Sequence, residues 1–197
     1  MVLEQLFRLR WIERKEHAFF LGFIYSLIGL LSAMFIFPAS VGLMSVAFTS
    51  LLLIPSLNLL LKMEENVEIR EKKLSLGQLF SDHKDIFKVY IFMFLGVFLA
   101  FSITSLLLSE VNLQQMFASQ LRSAGIHGLA IIQDPLLRLI LNNLLVFFVC
   151  FVLSLVYGAG SVLFLTWNAS VWGVAFAFFV KQTSFAIGAN PFYEFIS

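Results

Sequence analysis

Five stretches of this chain run for about twenty residues each without a single Asp, Glu, Lys, Arg or His. They are Ala18–Phe37, Ser40–Leu61, Val89–Leu108, Leu139–Tyr157 and Ser161–Val180. A helix of that length matches the roughly 30 Å hydrocarbon core of a bilayer. The rest of the composition agrees, with 60% of the 197 residues hydrophobic and only 13% charged. Soluble domains run near half apolar and a quarter charged. At this size their surface is too large, relative to volume, to hide 24 phenylalanines and the aliphatic residues beside them. The sequence therefore predicts an all-α, polytopic transmembrane bundle of about five helices in the cell membrane, and it argues against a soluble enzyme. The net charge of +1 gives no footprint for nucleic acid. The single cysteine, Cys150, lies in an apolar run and has no internal disulfide partner.

The chain divides accordingly. Residues 18–61 form a membrane hairpin turned at Pro38-Ala39. Its first span is too long for the apolar core of a signal peptide and is read as retained. Pro55 falls inside the second span, where a membrane helix tolerates a kink if neighbours satisfy the freed carbonyl. Residues 89–108 form the third span. Residues 135–180 hold two closely linked spans with only Gly158-Ala159-Gly160 between them, a place where a broken or re-entrant helix is the alternative. With five alternating spans, the N-terminal segment and the connector after the second span share one side. That side carries ten of the thirteen Lys and Arg residues, which places the N-terminus in the cytoplasm.

The segments between spans are amphipathic or charged. Residues 1–17 mix Leu3, Leu6, Phe7, Leu9, Trp11 and Ile12 with charged groups. They read as a helix at headgroup level or a plain charged anchor. Residues 62–88 carry six basic and six acidic residues, with Glu68 and Lys72 in the favourable i,i+4 order. Ser81 and Asp82 are N-cap candidates for the third helix. This connector is either merely solvated or a docking surface for a cytoplasmic partner. In the external segment, 109–134, Leu113, Met116, Phe117 and Leu121 fall on one helical face, as expected of a short helix resting on the bilayer or on the bundle. Gly125 and Gly128 end that pattern, and Asp134-Pro135 signals a new helix start. Residues 181–197 form an external tail.

Catalytic chemistry finds little to work with. Ionisable residues at membrane depth mark proton relays and ion pathways, and the five windows contain none. His17, His83 and His127 all lie in connecting segments, with no metal-ligand spacing. There is no phosphate-binding Gly-rich loop with its Lys, and no intramembrane His to activate a serine. Asn168-Ala169-Ser170 matches a glycosylation sequon only formally, because it lies mid-span. The polar groups at depth include the amides Asn142, Asn143 and Asn168, which need helix–helix partners. Small residues recur beside them at four-residue steps: Ala169, Gly173 and Ala177; Gly96, Ala100 and Thr104; Gly22 with Ser26; Gly29 with Ala33. Such faces allow backbones to approach closely. The candidate positions for packing, or for a polar cavity flanked by Asn143 and Asn168, are Asn142, Asn143, Gly158, Gly160, Ser161, Asn168 and Gly173. No catalytic, cofactor-binding or metal-binding residue is assigned.

Asn142-Asn143, then Gly158-Ala159-Gly160-Ser161, then Asn168-Ala169-Ser170 and Gly173 resemble the stage II sporulation protein M family of multi-pass membrane proteins. His83-Lys84-Asp85-Ile86 followed by Phe92-Met93-Phe94-Leu95-Gly96 resembles its archaeal branch. The likeness covers about residues 80–180. Members of the family usually continue into a further helix with a His-Gly and Glu motif; this chain ends at Pro191–Ser197 without it and reads as a shortened member or a fragment. The resemblance implies a membrane anchor that recruits partner enzymes and is not itself an enzyme. The expected function is thus a non-enzymatic scaffold or recruiter, with a permease-like transporter subunit as the alternative. The expected partners are the lipid bilayer, membrane or surface proteins, and further copies of the chain.

Overall fold

A computed structural model of the protein describes residues 15–68, 84–125, 144, 145, 148 and 160–187. Its principal elements are α1 (Lys15–Ile36), a 3-10 turn (Pro38–Ser40), α2 (Val41–Glu68), α3 (Lys84–Leu107), α4 (Glu110–Met116), α5 (Ala118–Ser123) and α6 (Gly160–Ile187). No strand occurs among the described residues, so the fold there is all-α. Among the described residues, four segments are long and apolar enough to cross a membrane: Glu16–Ile36, Pro38–Leu57, Lys88–Leu107 and Val162–Ser184. They coincide with the first, second, third and fifth stretches of the sequence. The remaining stretch, Leu139–Tyr157, lies outside the described residues except for Leu144, Leu145 and Phe148, which are helical.

Helix ends differ from the edges of the apolar windows, because backbone hydrogen bonding does not stop where hydropathy does. Helix α1 already includes Lys15 and α2 includes residues as far as Glu68, taking up the start of the charged connector. Lys62, Met63, Glu64 and Glu65 are all good helix formers and continue the helix past the apolar run. Pro55 stays within α2. The hairpin between α1 and α2 is tight because Phe37 precedes a proline, which disfavours helical geometry there. Phe37 has φ −131° and ψ 61°; its N–H donates to Ala33 O at 2.8 Å, and its carbonyl accepts from Ser40 N at 3.0 Å.

Helix directions follow from the contacts. Helices α1 and α2 run antiparallel through the hairpin. Helix α4, which follows the end of α3, packs on the Pro38–Ser40 turn, so α3 ends where α1 ends. Along α3 and α6 the contacts rise together: Phe94 with Trp172, Phe98 with Phe176, and Leu108 with Lys181. Helices α1, α3 and α6 are therefore parallel, and α2 opposes them. Helix α1 packs between α2 and α3, and α6 packs on α3 and, less extensively, on α2.

Close approach at small residues holds these helices together. A Cβ on Gly96 would overlap the carbonyl oxygen of Phe19 and stand 2.8 Å from Phe23 N. On the facing helix, a Cβ on Gly22 would overlap the carbonyl oxygen of Met93. The crossing of α1 and α3 is thus reciprocal: each glycine presents its Cα–H to a backbone oxygen of the other helix. Contacts of this kind recur at helix interfaces and contribute roughly 0.5–1 kcal/mol each. Around them, Ala18, Val89, Met93, Val97 and Phe101 are buried. The opposite stripe of α1, Phe20, Ile24, Ile28, Leu31 and Phe35, is exposed, as expected of a lipid-facing surface.

Replacing Gly96 by Ala should lower unfolding stability in detergent micelles by about 1–3 kcal/mol, the usual range for overpacking. Gly125 has a φ of 78° and open space around its missing Cβ. Gly125→Ala should therefore cost only the backbone strain, about 1–2 kcal/mol, without separating the helices. An unchanged unfolding midpoint for Gly96→Ala would mean that α1 and α3 do not meet backbone to backbone.

Candidate functional site

The segment after α3 folds into the bundle. Ser109 caps α4, its Oγ accepting from Asn112 N at 3.3 Å. Phe117, with φ −114° and ψ 27°, ends α4 and precedes α5. Leu113, Phe117, Gln120 and Leu121 are buried, and Gln114, Gln115, Ser119 and Arg122 are exposed. The Phe117 ring packs edge-on to Phe101, with centroids 6.0 Å apart. The apolar face read from the sequence is therefore the buried one. It is inserted against α2 and α6 rather than laid flat on a lipid surface. Residues 126–134 of the predicted external segment lie outside the described residues.

Gln120 was not anticipated as an anchor. Its Nε2 donates to Gly42 O at 2.8 Å, and Ser45 Oγ donates to the same carbonyl at 3.0 Å. The Gln120 Oε1 faces the Cα of Gly42 and has no conventional partner. A signal was present: Gln120 stands three residues after Phe117 and seven after Leu113, on their helical face. A polar clamp closes the same end of the bundle. Gln182 Nε2 donates to Glu110 Oε1 at 2.8 Å, and Lys181 Nζ donates to Leu108 O near the end of α3.

Deeper in the bundle, the buried polar side chains of the described residues are serines, threonines and Gln120. Ser50 Oγ and Thr166 Oγ1 share a hydrogen bond of 2.6 Å that joins α2 to α6. Others return to their own helix: Ser102 donates to Phe98 O at 2.8 Å and Ser170 to Trp167 O at 2.7 Å. The hydroxyls of Ser26, Thr49 and Ser105 have no hydrogen-bond partner. Thr49 Oγ1 faces the Cα of Gly29, the same oxygen-to-glycine arrangement seen at Gly42.

The positions singled out in the sequence separate into different roles. Asn142, Asn143 and Gly158 lie outside the described residues. Gly160 and Ser161 open α6, which continues unbroken to Ile187. Gly173 is a packing position, since a Cβ there would stand 2.6 Å from Phe98 O. Ala169 and Ala177, four residues on either side, are fully buried. Asn168 donates from Nδ2 to Phe164 O at 2.8 Å and lines a groove of about 450 Å³. The groove is walled by Trp167, Trp172 and Phe176 of α6, Phe98 of α3 and Ser123 at the end of α5. It is aromatic, with one amide, and carries no acid, base or thiol among its described lining residues. Among the described residues no group of three His, Cys, Asp or Glu side chains is placed to hold a metal.

Fold and site together define a helical bundle with the length and apolarity of a membrane protein. Set against protein-family models, curated proteins and solved structures, the chain matches none of them.

The Gln120–Gly42 contact is open to a double-mutant cycle. Gly42→Ala drives a methyl group into Gln120 Oε1, and Gln120→Ala removes both the collision and the anchor. The two substitutions together should destabilise less than their sum, with a coupling of about 1 kcal/mol in micelle unfolding. Strict additivity would place Gln120 elsewhere.

Proposed function

We propose that this protein is a five-span, non-enzymatic membrane scaffold of the cell membrane, with its N-terminus in the cytoplasm, that holds partner proteins at the lipid surface. The observation that carries this reading is the insertion of α4 and α5. Leu113, Phe117, Gln120 and Leu121 lock the segment into the bundle, while Gln114, Gln115, Ser119 and Arg122 stand exposed on a fixed frame. A rigid, polar, outward edge on a packed bundle suits recruitment. The resemblance to the stage II sporulation protein M family implies the same role.

Parallel α3 and α6 support the fifth span. Leu139–Tyr157 is an apolar run of spanning length in the sequence that links them. The Lys and Arg distribution supports the orientation. A second reading, a permease-like subunit for a neutral solute or lipid, draws on the unpartnered hydroxyls of Ser26, Thr49 and Ser105.

Two measurements test the proposal. In a Cys150→Ala background, an impermeant thiol reagent added to intact cells should label Ser119→Cys and leave Glu65→Cys untouched; the reverse pattern inverts the topology. Affinity purification from native membranes should yield surface-processing enzymes. Replacing Gln114, Gln115, Ser119 and Arg122 together by Ala should reduce that capture about tenfold, equivalent to about 1.4 kcal/mol, with the unfolding midpoint unchanged. Co-purification of an ATPase, with capture indifferent to these four residues, would favour transport.

A further inference from the structure

We infer that the aromatic groove beside Asn168 holds one hydrocarbon chain of an anionic phospholipid, whose phosphate pairs with Arg122. The inference rests on the membrane placement proposed above and on no other part of that reading. It adds a bound lipid and the end of the groove that takes its headgroup.

Cross-section decides between a chain and a helix as the occupant. The α6 lining runs from Trp167 to Phe179, a rise of about 18 Å. The 450 Å³ divided by that length leaves a mean cross-section of about 25 Å². A helix with its side chains, about 10–12 Å across, needs about 80–110 Å². A single file of methylene groups, touching its walls at about 4.0–4.5 Å, needs about 16–20 Å². One hydrocarbon chain therefore fits and a whole helix does not. The rings are held from behind. Trp172 stands edge-on to Phe94 with centroids 6.2 Å apart, and Phe176 leans on Phe98 at 5.8 Å. Trp172, Phe176 and Phe179 are exposed, so the groove opens sideways, the direction from which a lipid enters. Its amide, Asn168, already donates to Phe164 O at 2.8 Å.

Helix α5 sets the headgroup end. Ser123 and Ala124 line the groove, and Arg122, the residue before them, is exposed. Gln120 bonds to Gly42 O, and Gly42 stands about 6 Å inside the Pro38 end of the second apolar segment. Phe179 stands about 7.5 Å inside the Ser184 end of the fourth, on the same side of the bundle. Arg122 and the Phe179 end of the groove are therefore at similar depth. That depth, about 5–10 Å, is where headgroups give way to acyl chains. An arginine there extends its guanidinium outward along an apolar surface, and its planar fork matches a phosphate with two hydrogen bonds. From that level the hydrocarbon chain runs along α6 toward Trp167.

The test uses the full-length protein reconstituted into phosphatidylcholine vesicles. Trp167 and Trp172 line the groove, and Trp11→Phe leaves these two as the fluorescent reporters. Bromine on an acyl chain quenches a tryptophan that it touches. Phosphatidylglycerol with brominated chains, as a minor component, should quench the reporters about fivefold more than brominated phosphatidylcholine at the same level, the attraction expected of one Arg near a membrane surface. Arg122→Gln should bring the two lipids level. Ala175→Phe, which fills the groove, should remove the excess with Arg122 in place. The unfolding midpoint checks the fold of Ala175→Phe, and Arg122→Gln, at an exposed position, carries the test if that variant is misfolded. The reference is Phe20→Trp on the exposed stripe of α1, with the three native tryptophans replaced by Phe; it should show no preference. Equal quenching of the groove reporters by both lipids would overturn the inference, as would a preference that survives Arg122→Gln. Groove reporters shielded from both lipids, with Phe20→Trp quenched, would overturn it in favour of a protein cover. If Phe20→Trp is itself unquenched, the membrane placement fails and the lipid site fails with it.

Discussion

Oxygen against glycine is the contact on which this bundle depends. In lipid, helices gain little by hiding apolar surface from one another, so association relies on close packing and on polar contacts between backbones. Five interfacial glycines among the described residues, Gly22, Gly29, Gly42, Gly96 and Gly173, each turn toward an oxygen of another helix. Three of those oxygens are carbonyls, of Met93, Phe19 and Phe98; the others are Thr49 Oγ1 and Gln120 Oε1. The last two have no conventional hydrogen-bond donor. A Cα–H is a weak donor, yet in a site without water it gives an otherwise bare oxygen a favourable neighbour. The same geometry therefore brings the backbones together and eases the burial of polar atoms.

That arrangement explains how the interior holds many hydroxyls and stays a packed structure. Ser102 and Ser170 donate to carbonyls one turn back on their own helices, which satisfies their hydroxyls locally. Ser50 and Thr166 instead bond to each other and fix the level at which α2 meets α6. Toward the hairpin end, Phe117 and Gln120 of the inserted segment occupy the space beside α2 and α6, with the Lys181 and Glu110 contacts above them. The described polar interior is built of hydroxyls and one amide, groups suited to holding helices in place.

Two surfaces remain after the packing is accounted for, and they differ in kind. The exposed edge of α4 and α5 is polar and short. The Asn168 groove is aromatic and runs along a membrane helix. A polar edge favours hydrogen-bonded contacts, whereas an aromatic groove favours apolar ones.

Much of the helical frame was legible from composition and spacing alone. Charge-free runs of bilayer length marked α1, α2, α3 and α6, because a spanning helix has to be apolar all round. Four-residue steps of small residues marked Gly22, Gly29, Gly96 and Gly173 as contact positions, since helix periodicity alone sets which residues share a face. The spacing of Leu113, Phe117 and Leu121 likewise marked the buried face of the segment after α3. Which helix each small face meets, that α3 and α6 run parallel, that Gln120 reaches Gly42 across 78 residues of sequence, and that Asn168 borders a groove while Gly173 meets Phe98 were decided by tertiary structure. Periodicity describes one helix at a time. Pairing depends on the shapes and oxygens that a second helix brings to the contact.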